Sequence, residues 1–395
     1  MRRLLLTTCL AVLVAGCNSN GSGQAGGEQA TSAAAEPKVD PDASAVTADS
    51  MASHDPGPGE APDSATADDK PRPMMKVQVV LERLGFAPGI VDGKMGLSTR
   101  NALLAFQEVN AVPVTGELDE QTLTVLSRWS QIGATRVVTI PADFAAGPFA
   151  PLPKDPVEQA KLPALGYASL DEKLAERFHT TVATLKELNP QIAAPQGAAS
   201  PVAGAASTPV PTPTGPVFAA GQKIRVPNVG ADAIDGTANA DPAWLRTLVS
   251  LGVGNDQPTA DRIVVSKGKG TLRAYDTAGK LIAVFTVTTG SSHDPLPLGK
   301  WKINAVDHNP KFHYNPELFW DVSDAKPKAL LPPGPNGPVG VVWIDLSKEH
   351  YGIHGTPEPE TIGRTQSHGC VRLTNWDAAR LAQMVSKETK VEFVS

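Results

Sequence analysis

The stretch Thr365-Gln366-Ser367-His368-Gly369-Cys370-Val371-Arg372-Leu373 puts a thiol between a potential base and a permanent cation, each two residues away. A thiol attacks as its thiolate, so such chemistry needs a base to take the proton or a cation to favour the anion. If the stretch is extended, side-chain alternation places His368, Cys370 and Arg372 on one side of a strand. Arg372 should then lower the Cys370 pKa. His368, on the same strand, would run parallel to the sulfur and be poorly aimed at it. A histidine arriving from another strand could point across and meet the sulfur within hydrogen-bond reach. By composition alone, Cys370 could equally be a buried small hydrophobe.

The other two of the chain's three cysteines bear on that choice. The opening, MRRLLLTTCLAVLVAGC, has two arginines, an apolar run from Leu4 to Ala15 and then small residues. The run is too short to cross a bilayer, which needs about 18 or more apolar residues, and has the form of a secretory signal. Its end, Val14-Ala15-Gly16-Cys17, resembles the lipobox of bacterial lipoproteins, which implies lipid attachment at Cys17 and a membrane anchor. Asn18, where an aspartate would hold such a protein in the inner membrane, favours the outer one. Cys9 leaves with the signal and Cys17 takes lipid, so Cys370 is the single thiol of the exported chain. Exported proteins usually pair their cysteines, and a leftover thiol is a candidate reactive group.

A chain of 395 residues has room for two or three domains, and its 36 prolines and 35 glycines require linkers. With a net charge of −6 and no basic stripe, nucleic acid is excluded as a partner. Residues 18–73 contain no Ile, Leu, Phe, Tyr or Trp and read as a disordered tether. As a flexible coil its reach is about 40 Å. A second Ala/Pro-rich linker covers 193–216. Between them, helical spacing at Val80-Leu81-Leu84 and Leu103-Phe106, with Asp119 placed to cap a last helix, predicts a small helical domain. Glycines 85, 89, 93 and 96 mark its turns. Further on, Leu170, Leu174 and Phe178 share one helical face and Val182, Leu185 and Leu188 another, while GQKIRVP reads as a strand. From Asp261, short β-branched runs broken by Gly-Lys and Ala-Gly turns predict an antiparallel β-domain.

These modules resemble known families. Residues 74–130, in particular LGFAPGIVDGKMGLSTRNALLAFQ and TGELDEQT, resemble the peptidoglycan-binding domain of cell-wall enzymes. Residues 160–228 resemble a LysM-type glycan-binding module with the linker inserted. Residues 261–395, through LPLGKWKI and above all YGIHGTPEPETIGRTQSHGCVRL, resemble the YkuD-like L,D-transpeptidase catalytic domain. The expected fold is multidomain: a small all-α peptidoglycan-binding domain, a small α+β LysM-like module and a mainly-β L,D-transpeptidase catalytic domain.

The resemblance implies that Cys370 is the nucleophile and His354 its base, with the Gly355 carbonyl orienting the His354 ring. Arg372, His368 and Ser367 become supporting residues, and the N–H groups of Gly369 and Cys370 would receive an oxyanion. Its implied substrate is a peptidoglycan stem peptide, cut between its third residue and a D-Ala and held as a thioester. Transfer to an amine would form 3→3 crosslinks or attach a protein to the wall, and carbapenems are expected to acylate the same cysteine. Release to water or a free amino acid would make a carboxypeptidase or exchange enzyme, and an inert wall-binding lipoprotein is a third reading. No cofactor is expected and no metal: the histidines at 350, 354 and 368 lack a paired carboxylate signature, and zinc would suppress the free thiolate. The expected partners are peptidoglycan peptide and glycan and, through Cys17, a membrane, for a monomer in the cell envelope facing the periplasm. The helical domain would act as a separable grip, so deleting it should spare turnover on small soluble muropeptides and lower it on intact sacculi.

Overall fold

The computed structural model describes residues 68, 70–193, 216–229, 241–323 and 325–395. The signal and lipid site at 1–17, nearly all of the tether and residues 194–215 of the linker lie outside them. All described residues belong to one compact unit, 45–395. Among them, no helix is long and apolar enough to cross a membrane.

The first part is helical: α1 (Pro73–Arg83), α2 (Leu97–Val109) and α3 (Glu120–Leu126). Pro73 opens α1, where the missing N–H costs nothing. The end of the expected tether is therefore ordered: Asp68 accepts hydrogen bonds from Arg72 Nε (2.6 Å) and Thr135 Oγ1 (2.7 Å). Asp119 caps α3 by accepting from the Thr122 N–H at 2.8 Å, as its position predicts. Val80, Leu81, Leu103 and Phe106 are all buried.

The second part joins β1 (Thr135–Thr139) to β2 (Lys223–Pro227) as an antiparallel pair, with the single turns α4 (Ala142–Ala145) and α5 (Pro156–Gln159) and the helices α6 (Leu170–Arg177), α7 (Val182–Leu188) and α8 (Pro190–Ala193) between them. The strand expected at GQKIRVP is β2, but its partner lies upstream of residue 160. The unit thus begins near 135, because the apolar face of β2 (Ile224 and Val226) needs Val138 and Ile140 beside it to close the core with Leu174, Phe178 and Leu185.

The third part is an eight-stranded sheet in the order β11-β10-β9-β6-β12-β3-β4-β5. Its strands are β3 (Arg262–Ser266), β4 (Thr271–Tyr275), β5 (Leu281–Thr286), β6 (Gly299–His308), β9 (Val342–Leu346), β10 (Gly352–His354), β11 (Val371–Arg372) and β12 (Lys390–Val394). The hairpins β3-β4-β5 follow the predicted turns. A separate two-stranded ribbon pairs β7 (Phe312–Tyr314) with β8 (Ala329–Leu331). Just past β5, Thr288 exchanges backbone hydrogen bonds with Arg372 of β11 (3.1 and 2.9 Å). That contact brings the two outer strands together and curls the sheet around a core of Ile263, Phe285, Ile344, Ile353 and Val371. Helices α9 (Pro242–Leu251) and α10 (Asn375–Met384) add Trp244, Leu248 and Trp376 to that core.

The helical domain is not a free module. Residues 85–87 extend the sheet at β5: the Val284 N–H donates to the Gly85 carbonyl (3.0 Å) and the Ala87 N–H to the Val284 carbonyl (2.9 Å). Gly85 has φ +89°, and a Cβ there would sit 2.7 Å from the Ile282 carbonyl oxygen, so only glycine fits. Phe86, Leu81 and Phe106 share a core with Leu281 and Val284. Buried Glu82 of α1 pairs with Arg380 of α10 (3.0 Å) and with His179 of the second part (3.3 Å). Removing one partner of such a buried pair costs about 3–5 kcal/mol.

Deleting residues 74–130 is therefore expected to lower the melting temperature of the remainder and to reduce the turnover that the resemblance implies on soluble muropeptides as well as on sacculi. Thermal melts and paired assays measure this. A remainder that melts as the full chain does, with full soluble activity, would restore the separable module that the sequence suggests.

Candidate active site

The site forms where β10 and β11 lie side by side. Ile353 pairs with Val371 and His354 with Arg372, in parallel register. Paired residues point the same way, so Ile353 and Val371 enter the core while His354 and Arg372 emerge together on the other face. Cys370 stands one residue before β11.

The segment before β11 is not extended, and this corrects the expected geometry. Residues 368–370 form a bend, and Gly369 has φ +101°. A Cβ on Gly369 would lie 2.5 Å from the Tyr351 ring, so glycine is required on both counts. Ser367, buried, donates from Oγ to the Cys370 carbonyl at 2.6 Å and closes the turn. The bend sends His368 away from the line that strand alternation would give it. Its Nε2 meets Asp321 Oδ1 at 2.9 Å, its ring stands edge-on to Phe319 at 5.1 Å, and Trp320 lies 5.8 Å away. His368 thus couples the cysteine turn to the 319–321 loop.

His354 is buried. Its Nδ1–H donates to the Gly355 carbonyl at 2.7 Å, which leaves Nε2 with the lone pair. The Trp343 ring, on the cross-strand partner residue in β9, stacks on it at 5.5 Å. Burial, and then the Arg372 guanidinium, hold its pKa down to about 3 against the pull of the Gly355 carbonyl. The imidazole is neutral at physiological pH, with its Nε2 unprotonated.

Cys370 also differs from expectation. The Arg372 guanidinium does favour the thiolate, as does the Gly352 N–H, but burial outweighs both and Asp294 adds to it, so the thiol pKa is raised. Its S–H points to the His350 carbonyl at 3.7 Å. Burial thus favours the neutral form of both the thiol and the imidazole. Arg372 is itself partly desolvated, and its Nε is buried with no hydrogen-bond partner.

Sequence reasoning missed four neighbours: Tyr351, against Gly369; Asp294, whose charge disfavours the thiolate; Trp343, on the base; and Asp321, on His368. Only Tyr351 lies in a motif the sequence singles out. The others reach the site through strand pairing and loop closure. Asn375, fully buried at the start of α10, accepts from the Val341 N–H and donates to Glu176 of the second part. Among the described residues, no three of His, Cys, Asp and Glu converge as a metal-binding group.

The raised thiol pKa has a measurable sign. Fewer thiolates at neutral pH means slow reaction with a small alkylating agent, with a rate that is still climbing beyond the ordinary thiol value near 9. Because His354 stays neutral down to about pH 3, no inflection is expected between pH 5 and 8. Alkylation of Cys370 that reaches its plateau below pH 7 would show a resting thiolate instead.

Residues 260–393 match the L,D-transpeptidase catalytic domain family, and residues 73–126 match a peptidoglycan-binding domain family. An L,D-transpeptidase of Bacillus licheniformis named YkuD is 32% identical over 146 residues, covering 37% of this chain and 73% of its own length. Its namesake in Bacillus subtilis is 51% identical over 57 residues, which is 14% of this chain and 35% of that one. The crystal structure of L,D-transpeptidase 3 of Mycobacterium tuberculosis matches 34% of this chain and 61% of that chain, with 17% identity and a TM-score of 0.29.

Proposed function

The chain belongs to the YkuD family of L,D-transpeptidases, and from that premise we propose that Cys370 and His354 carry acyl transfer on peptidoglycan stem peptides through a thioester. The observation that carries the proposal is His354 itself: its tautomer is fixed by Gly355, its Nε2 is free, and its strand runs beside the one that Cys370 precedes. In this reading, Nε2 takes the Cys370 proton as the sulfur attacks the carbonyl joining the third residue to D-Ala. The N–H groups of Gly369 and Cys370 receive the oxyanion. The imidazolium returns its proton to the departing D-Ala amine, leaving a thioester on Cys370. An acceptor amine attacks that thioester, gives its proton to Nε2, and the thiol re-forms. Arg372 steadies the sulfur as it becomes anionic.

The helical domain would grip the wall, with the second part as a further, LysM-like glycan contact. A lipid on Cys17 would tether the protein in the envelope, at the outer membrane.

The test is to incubate the full chain with tetrapeptide muropeptides and identify products by mass. Expected products are free D-Ala and dimers joined 3→3. Loss of D-Ala with a tripeptide as the only other product would mean that water is the acceptor, and no release of D-Ala would overturn the reading. A carbapenem is expected to leave a stable mass adduct on Cys370, and an active enzyme without one would argue against this pocket.

A further inference from the structure

The support behind His354 crosses from one part of the molecule to another. The carbonyl that fixes the His354 ring belongs to Gly355, and the Gly355 backbone lies against Asn375 of α10. A Cβ on Gly355, or on Gly340 of the loop before β9, would collide with Asn375 Oδ1, so the three residues meet with no room between them. Asn375 is fully buried. Its Oδ1 accepts from the Val341 N–H at 3.3 Å, and its Nδ2 donates to the Pro335 carbonyl at 3.0 Å and to Glu176 Oε1 at 2.7 Å. A buried amide with its carbonyl and both N–H groups committed has one orientation. The shortest of these bonds is the one to Glu176, which stands on α6, outside the catalytic domain.

The same part of the chain also holds the 332–341 loop, which carries Pro335 and Gly340. The Leu165 N–H donates to the Pro333 carbonyl at 2.9 Å, and the Asn336 N–H donates to the Leu165 carbonyl at 3.0 Å. Asn336 Nδ2 donates to the Gly166 carbonyl at 3.0 Å and to Glu172 Oε1 at 2.7 Å. Glu172 and Glu176 lie one turn apart on α6, so one face of that helix grips both asparagines. Burial pushes the Glu176 carboxyl up to about 7, with Glu172 adding to it and Tyr167 and Asn375 pulling it back. Its charged and neutral forms both accept from an amide, so the grip does not depend on the charge.

We propose that Glu176 is a positioning residue for His354: through Asn375 it fixes the place of Gly355, and so the tautomer and aim of the base. This rests on the reading of His354 as the base, and it gives the second part a role in the reaction itself besides a glycan contact. Glu176 is buried against α10 and out of reach of a glycan on the surface.

The test is steady-state turnover of tetrapeptide muropeptides by the full chain, with the ring nitrogens of His354 followed by NMR and assigned against His354→Ala. Glu176→Leu should lower kcat about tenfold to a hundredfold, the scale for a reacting group displaced by about 1 Å or less. KM should change little, because substrate contacts are untouched. The two His354 tautomers should mix, and their Nδ1 and Nε2 resonances should move toward each other. Glu176→Gln keeps an acceptor for Asn375 and should restore both kcat and the ring signals. If the leucine variant folds poorly, Asn336→Ala, at a half-buried position of the loop, should show the same kcat-only loss on a smaller scale. An unchanged kcat, a loss carried by KM, or a loss with the His354 resonances unmoved would overturn the proposal, as would a glutamine variant that fails to rescue. Release of D-Ala by the unsubstituted chain, and its loss in His354→Ala, test the underlying reading separately. If both are seen and Glu176→Leu turns over normally, only this proposal falls.

Discussion

Replacing Cys370 with alanine is expected to abolish turnover on tetrapeptide muropeptides while leaving the fold in place. Cys370 is the one free cysteine among the described residues. Its structural ties are made by the backbone: Ser367 donates to its carbonyl, and Gly369 supplies the bend. The side chain contributes only a weak contact to the His350 carbonyl. Alanine keeps the backbone contacts and loses only the sulfur of a partly buried side chain, so stability should fall by about 1 kcal/mol, an ordinary point-mutant loss. Activity should fall roughly a million-fold, the scale seen when a nucleophile is removed from a cooperating set. Cys370→Ser should do nearly as badly, because the thiol pKa is already raised by burial and an alcohol ionises far less readily still. Mass detection of D-Ala release and of the acyl-enzyme checks both variants. More than trace turnover in the alanine variant would place the nucleophile elsewhere.

The elements that formed from local pattern were legible in the sequence. Apolar spacing located α1, α2, α6 and α7, Asp119 marked the start of α3, and Gly-Lys and Ala-Gly turns located the β3-β4-β5 hairpins. What depended on distant chain was not. Strand β2 was visible, but its partner β1 lies far upstream, with Thr135 paired to Pro227, and nothing local says which strand it will meet. Gly85 could be seen as a turn, but not as the point where the helical domain adds to the β5 edge. The site divides the same way. The sign of the Arg372 effect on Cys370 followed from charge and spacing. The net direction did not, because burial is set by how the whole sheet closes, and it exceeds that effect. His368 was set aside as base for a geometry that does not occur; its actual partner, Asp321, comes from a loop whose approach no spacing could reveal.

Replacing His354 and His368 in turn is expected to separate their roles by orders of magnitude. In the proposed mechanism His354 takes the thiol proton, and the raised pKa of Cys370 leaves few thiolates at neutral pH to act unaided. The same proposal makes His354 the proton donor of the departing amine, which the variant also loses. General acid–base catalysis of this kind contributes about 10²–10⁴-fold, and partners in a nucleophile–base unit fail together. A structural role for the ring, stacked on Trp343, would show as a lower melting temperature and altered access to the thiol. Alkylation of Cys370 by a small electrophile discriminates between the two. The imidazole is already neutral in the resting site, so His354→Ala should leave the alkylation profile nearly where it was while turnover collapses. His368→Ala removes a partly exposed pair with Asp321. Such pairs are worth about 0–1 kcal/mol, so turnover should drop by no more than about fivefold. Asp321→Asn should give a similar loss, because both changes loosen the same contact between the cysteine turn and the 319–321 loop. Equally severe losses from the two histidine variants would mean that the ring meeting Asp321 turns back toward the sulfur during catalysis, and the assignment of the base to His354 alone would fall.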